Sequence, residues 1–512
     1  MPATIFLTVS LALAVGLLIL NTIEVGRNDA ANLVNAVFGA RILDRKLAVR
    51  VAGIGVVLGA VASGGVIETV RRDIFVPQEL PSLHAAVAVY LSVYIVNTVL
   101  LNAYSAYGMP VSTTASLVFA LLGASSVAGG LGVVNWAIAG KVVTGIVCSI
   151  LLSGIAAFLV QRAVRGAIRG RPQQLGALLL HGGWVGGGMT AGLCYFLLSK
   201  GMKHVGFIKY LNEHVVSRYG DAVVVLFLWG VFTIAIHALL VVYRKRAARV
   251  LFPALAVVAM IAMAFAFGQN DLANCASPGL STLALIDRGD VNIGTQADIP
   301  LWALFACGLL LVLGMGTKNA ERVTRAEVAT GSMSDHVGLW APQWCVGLAT
   351  HILYLRGRAP TLAPMVTVTE TGKTMHYDSL RACVILSVSA CVIATASGLK
   401  LPVSTTYVAF AAVVATGMAD RILQRGDAAL KLARSIWVVF SWFASAVIAS
   451  TASAVLCLAL VHLGTPGIAG GLVASVAIWV HIKRRADVQA KRVQEEAYER
   501  AHPEEFAPED ES

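Results

Sequence analysis

Long apolar runs alternate along this chain with short polar stretches rich in Lys and Arg. A helix needs about 20 apolar residues to cross the hydrocarbon core. By that measure thirteen segments stand out: 2 to 38, 47 to 70, 83 to 103, 111 to 131, 136 to 160, 175 to 199, 222 to 243, 250 to 286, 299 to 316, 379 to 399, 403 to 423, 433 to 463 and 465 to 482. The pattern predicts an all-α polytopic membrane protein with about 12–13 transmembrane helices. Segments 2 to 38 and 250 to 286 exceed a single crossing, so both are expected to be interrupted. One doubtful further span, "WAPQWCVGLATHILYL", lies inside a polar stretch from about 317 to 378.

Polar residues inside these segments form a repeat. "TIEVGRNDAANLVNAVFGA", residues 22 to 40, places Glu24, Arg27, Asn28, Asp29, Asn32 and Asn35 in an otherwise apolar run, and "FAFGQNDLANCASPG", residues 265 to 279, restates its G-x-N-D-x-A-N. "GMPVSTTASLVFALLG" at 108 to 123 is likewise matched by "KLPVSTTYVAFAAVVA" at 400 to 415. Between these marks lie "GGVIETVRRDI" and "GTKNAERVTRAEV", with Glu68 and Glu321 in related places. Three marks in one order indicate two related halves.

Charge bias orients them. Loops rich in Lys and Arg stay cytoplasmic, and five clusters qualify: Arg41 to Arg50, Arg162 to Arg171, Arg244 to Arg249, Arg421 to Lys431, and Lys483 to Arg485. Counting crossings puts the N-terminus outside and the C-terminus in the cytoplasm. The first Asn-Asp motif then runs outside to inside and the second inside to outside. Inverted-topology repeats with interrupted helices at a midplane site point to a secondary transporter. The expected organisation is repeat 1 over 1–160, a linking transmembrane hairpin over 161–249, and repeat 2 over 250–463 with the polar insert 317–378. A terminal helix over 464–482 and a charged cytoplasmic tail over 483–512 complete it.

The repeated residue types suggest the chemistry. Gly26 and Gly268 are expected to open their helices. Asn28 and Asn32 share a helical face with Asp29 beside them, and Asn270, Asp271 and Asn274 repeat the pattern. Such oxygens suit a hard cation, with Asn28, Asp29, Asn270 and Asp271 as candidate sodium ligands, while the amides also donate to an anion. Polar glue between helices explains one such cluster. It explains two less well, since each aspartate costs about 2.5–3.5 kcal/mol at a helix centre. Pro110 and Pro402 are expected at first helical positions. Ser112, Thr113, Thr114 and Ser404, Thr405, Thr406 follow, and two such helix N-termini facing each other would cradle a tetrahedral oxyanion.

Composition narrows the alternatives. Of 512 residues 57% are hydrophobic and 13% charged, and the mean hydropathy is +0.76, which excludes an ordinary soluble domain. The net charge of +11 lies in short clusters beside apolar runs, which fits a lipid bilayer and not nucleic acid. Eight scattered cysteines read as packing residues. Lys141, His181 and His237 have no repeat partner and read as buried or interfacial.

The paired G-x-N-D-x-A-N and P-V-S-T-T motifs, at 26 to 32 with 110 to 114 and at 268 to 274 with 402 to 406, resemble those of the inorganic phosphate transporter family, the phosphate and sulfate permeases. The resemblance implies uptake of inorganic phosphate, or sulfate, driven by sodium or protons, with no further cofactor. It also implies that Asn28, Asp29, Asn32, Asn270, Asp271, Asn274 and the two Ser-Thr-Thr runs bind anion and coupling ion. Arg27 and Gln269 stand where the family usually has Ala, and Ala115 and Tyr407 where it often has His. Arg27 and Gln269 join the candidate substrate-binding residues by position; for Arg27 an oxyanion contact and a salt bridge with Glu24 or Asp29 are equal readings. The expected location is the plasma membrane, and a homodimer is a compatible assembly. The rival classes are a polytopic membrane enzyme acting on lipid phosphates, with Asp29 and Asp271 as acid and base, and a passive anion channel.

Overall fold

The structure is a computed structural model that describes residues 2–63, 74–168, 173–202, 206–291, 300–334, 337–355, 367–368, 374–424 and 426–501. Glu68 and the last eleven residues of the tail lie outside them. The helices are α1 (Pro2–Gly39), α2 (Arg45–Val61), α3 (Leu83–Ala106), α4 (Thr113–Gly129), α5 (Trp136–Ala167), α6 (Leu175–Cys194), α7 (Asp221–Arg288), α8 (Leu301–Met315), α9 (Lys318–Thr330), α10 (Gln343–Leu355), α11 (Ser379–Gly398), α12 (Thr405–Ala419), α13 (Ala428–Leu463) and α14 (Thr465–Ala501). Short helical turns fill several connections, and Thr367–Val368 pairs antiparallel with Thr374–Met375.

Among the described residues seven helices are long and apolar enough to cross a membrane, or eight when α8 and α9, bent by 67°, count as one span. The expected twelve or thirteen crossings are therefore distributed differently. Segments 222 to 243 and 250 to 286 belong to one 68-residue helix, α7, broken at Arg244 (φ 43°, ψ −116°). Segments 111 to 131 and 403 to 423 become helices of 17 and 15 residues, short of the roughly 20 a crossing needs, because α4 and α12 begin deep inside the bundle. The doubtful span around Trp344 is the 13-residue α10, also too short to cross alone.

The interruption expected in 2 to 38 does not occur. Helix α1 runs unbroken through Gly26, as α7 does through Gly268. These glycines allow close crossing instead. A Cβ on Gly26 would lie 2.0 Å from Leu311 O of α8, and one on Gly268 would lie 2.2 Å from Val56 O of α2. The partner helices answer in kind: a Cβ on Gly314 would lie 2.1 Å from Ile23 O, and one on Gly59 2.0 Å from Phe265 O. Without a side chain the backbones approach until van der Waals contact replaces the lipid, which is how small residues drive helix association in membranes. The α1–α8 and α7–α2 crossings thus use matching positions of the two halves. Around them, the core is dominated by Ala, Val and Leu from α1, α3, α4, α7, α11 and α12.

Candidate functional site

The crossings hold the two Asn-Asp motifs in the middle of the bundle. Asp29, Asn28, Asp271, Asn270 and Asn274 are fully buried and Asn32 is nearly so. Each motif first secures the loop of its own half. Asn28 Oδ1 accepts from the Val111 N–H at 3.1 Å, and Asn270 Oδ1 accepts from the Val403 N–H at 3.2 Å. These bonds draw the P-V-S-T-T loops onto α1 and α7. There Ser112 and Ser404 act as N-caps, accepting from Ala115 N at 3.0 Å and Tyr407 N at 3.1 Å. Helices α4 and α12 start at Thr113 and Thr405, so Pro110 and Pro402 precede the caps and do not occupy the first helical position expected for them. Each proline instead stiffens the turn that enters the helix.

The two halves then interlock. Thr406 Oγ1 donates to Asp29 Oδ1 at 2.6 Å, and Thr113 Oγ1 donates to Asp271 Oδ1 at 2.9 Å, so each aspartate is held by a threonine of the other half. Asn32 Nδ2 donates to Thr406 Oγ1 (3.1 Å) and Asp29 Oδ1 (3.0 Å), and Asn274 Nδ2 donates to Thr114 Oγ1 (2.7 Å) and Asp271 Oδ1 (2.9 Å). Thr114 also donates to Val403 O at 2.8 Å. Two carboxylates, two helix N-termini and four amides form one connected centre.

That centre keeps spare capacity. Among the described residues Asp29 Oδ2, Asn32 Oδ1 and Asn274 Oδ1 are buried with no hydrogen-bond partner. An unpaired buried acceptor carries its full desolvation cost, about 1–3 kcal/mol and more when charged. The first N–H groups of α4 and α12 have no acceptor within their own helices either. Unpartnered acceptors and helix N-termini, which favour negative charge, are joined in one network, a chemistry able to take a cation and an oxyanion together.

Two candidates point elsewhere. Arg27 Nη1 pairs with Glu24 Oε1 at 2.5 Å and Arg27 Nε donates to Thr317 Oγ1 at 3.3 Å, at the bend between α8 and α9. Gln269 Nε2 donates to Gly201 O at 2.6 Å. Neither joins the residues that meet around the aspartates. Of the unmatched polar residues, Lys141 and His237 are exposed on the bundle, and His181 Nδ1 accepts from Trp184 Nε1 at 3.1 Å. One buried acid that sequence reasoning passed over, Glu327 on α9, is 1% exposed and accepts from Asn35 Nδ2 at 2.7 Å. Its signal was the apolar face of α9, on which it falls with Ala320, Val323 and Thr324.

Comparison with known proteins agrees with this architecture. The chain is 25% identical over 450 residues to a candidate phosphate permease of Pyrococcus horikoshii, covering 86% of this chain and 95% of that one. It is 26% identical over 458 residues to a similarly named protein of Thermococcus kodakarensis, with the same coverage. A solved structure described as the sodium-dependent phosphate transporter superposes with a TM-score of 0.66 at 21% identity, covering 88% of this chain and 99% of that one, and so shares its fold. The profile described as the phosphate transporter family matches residues 25–326, which include both Asn-Asp motifs and the first P-V-S-T-T. The chain is an integral membrane protein, and the match sets aside the enzyme reading in favour of transport. By this profile over more than half its length, the protein belongs to the phosphate transporter family.

Proposed function

We propose that this protein imports inorganic phosphate by symport with sodium, through alternating access at the centre around Asp29 and Asp271. The observation that carries this reading is the set of unpartnered oxygens, Asp29 Oδ2, Asn32 Oδ1 and Asn274 Oδ1, beside two helix N-termini. A proton is accommodated by a carboxylate, whereas amide oxygens favour a metal cation. One carboxylate from each half with neighbouring amides suits sodium, and the α4 and α12 N-termini with Ser112, Thr113, Ser404 and Thr405 suit the anion.

Energetics make the cations necessary. Moving an anion into a negative interior costs about 2.3 kcal/mol per charge per 100 mV. Two buried aspartates would also repel phosphate unless cations neutralise them. Filling by both species removes the unpaired groups, and the closed-packed glycine crossings are then the surfaces on which one half rocks against the other. The exchanged contacts support two repeats, over 1–160 and 250–463, joined by the hairpin 161–249. We place them in inverted orientation in the plasma membrane with the N-terminus outside, on the strength of the five basic clusters.

Uptake of labelled phosphate into proteoliposomes tests this, with sodium and pH gradients imposed separately and sulfate as competitor. Accumulation under the sodium gradient alone is expected. Accumulation only under a pH gradient refutes sodium coupling, preference for sulfate reassigns the anion, and flux without concentration refutes symport in favour of a channel.

A further inference from the structure

The centre around Asp29 and Asp271 leaves Glu327 unused. Helix α9 turns it inward from the bend after α8, and its environment is unusual for an acid. Oε1 accepts from Asn35 Nδ2 at 2.7 Å, while Oε2 has no partner. Among the described residues no Lys, Arg or His lies within ion-pair distance of it. Arg381, fully buried on α11, gives its donors to Thr416 Oγ1, Gly331 O and Val413 O.

The partner side is equally incomplete. Asn35 is fully buried, and its Oδ1, on the same amide that holds Glu327, has no donor. Tyr377 donates to the Asn35 backbone oxygen at 2.9 Å and so fixes that turn of α1. Asn32 lies one turn of α1 from Asp29 on one side and one turn from Asn35 on the other. Asp29 Oδ2 and Asn32 Oδ1 on those turns are unpartnered as well. Unpartnered oxygens thus recur on successive turns of α1 between the Glu327 contact at Asn35 and Asp29.

We propose that Glu327 and Asn35 form a sodium site separate from the central one, from which the ion passes by Asn32 to Asp29. A single carboxylate with an amide oxygen carries one negative charge, which matches a monovalent ion better than a divalent one. The rival is a proton on Oε2 donated to Asn35 Oδ1, which satisfies that pair without a cation. The role in transport rests on the symport reading above, whereas the existence of the site does not.

Equilibrium binding of radioactive sodium to the purified full-length protein, without phosphate, tests the site directly. E327Q keeps the acceptor for Asn35 and removes only the charge. It is expected to bind one sodium equivalent fewer than the wild type, and N35L to weaken that same equivalent on the order of tenfold. N35L carries the test alone if E327Q does not fold. An unchanged sodium count and affinity in both variants overturns the site, as does a wild type that binds no sodium. Loss of a bound proton in weakly buffered solution with the sodium count intact assigns the rival and also overturns it. Wild-type protein that binds sodium yet accumulates no phosphate refutes the transport reading while leaving this site standing.

Discussion

Replacing Gly314 by alanine is the sharpest test of how the bundle holds its centre. The new Cβ would lie 2.1 Å from Ile23 O and 2.9 Å from Arg27 N, both backbone atoms of α1. No rotamer change relieves such contacts, so the helices must part by about 1 Å to restore ordinary van der Waals distance. Overpacking costs about 1–3 kcal/mol, and the upper half applies because the atoms struck cannot rotate away. Alanine returns up to about 1 kcal/mol through helix propensity. A net loss of about 1–2 kcal/mol follows. The separation also carries Asp29 away from the threonine that holds it, since Arg27 and Asp29 lie on the same stretch of α1. Gly16→Ala on that helix is the control, because nothing lies within 4 Å of its Cβ. Melting of the purified protein and initial phosphate uptake are the assays. G314A is expected to melt lower and transport more slowly, G16A to match or exceed the wild type, and G26A/G314A to lose less than the sum, since both strike one crossing. Equal melting of G314A and G16A would refute the reasoning.

Asp29→Asn and Asp271→Asn are each expected to abolish uphill uptake while the proteins stay folded; full accumulation in both would end the coupling role assigned to them. Ser404→Ala removes the α12 cap and should cost about 1 kcal/mol, read as lowered melting together with weaker phosphate binding, and S112A should behave alike. His376, between the short strand pair and α11, donates its backbone N–H to Gly39 O and places Nδ1 2.9 Å from Ser332 Oγ. Burial, aided by the charges of Arg41, Arg325 and Lys431, pushes its imidazole down to about 4. The unfolded chain then binds the extra proton between pH 6.5 and 4, so stability is full above 6.5 and falls as pH drops through that window. The loss is on the order of 2 kcal/mol at pH 5. H376Q should flatten the fall in melting temperature between pH 7.5 and 5, and an unchanged slope would remove His376 as its cause.

Much of the centre was legible because it is written twice. Asn28, Asp29 and Asn32 with Asn270, Asp271 and Asn274, and the two Ser-Thr-Thr runs, stand out against apolar surroundings in a repeat that packing alone does not require. The structure brings all of these together. Gly26 and Gly268 were legible as special but not as to why: a missing side chain serves an opened helix and a close crossing equally well, and only the positions of Leu311 and Val56 decide. Arg27 was undecidable for a similar reason, since one of its two partners, Thr317, lies far along the chain and only the packing of α1 against the bend after α8 brings it there.

Apolar runs, helix caps and charge bias are properties of residues close in sequence, and they determine by themselves that this chain is a helical membrane protein with two related halves. Which threonine holds which aspartate depends on contacts between residues far apart along the chain. Thr406 reaches Asp29 and Thr113 reaches Asp271 only because the α1–α8 and α7–α2 crossings set the halves face to face. The pairing of Glu327 with Asn35 is likewise invisible in a local pattern, because a helix period shows that a side chain is turned inward but not what it meets there. Tertiary packing alone supplies that neighbour, and with it the unpaired oxygens buried at the core.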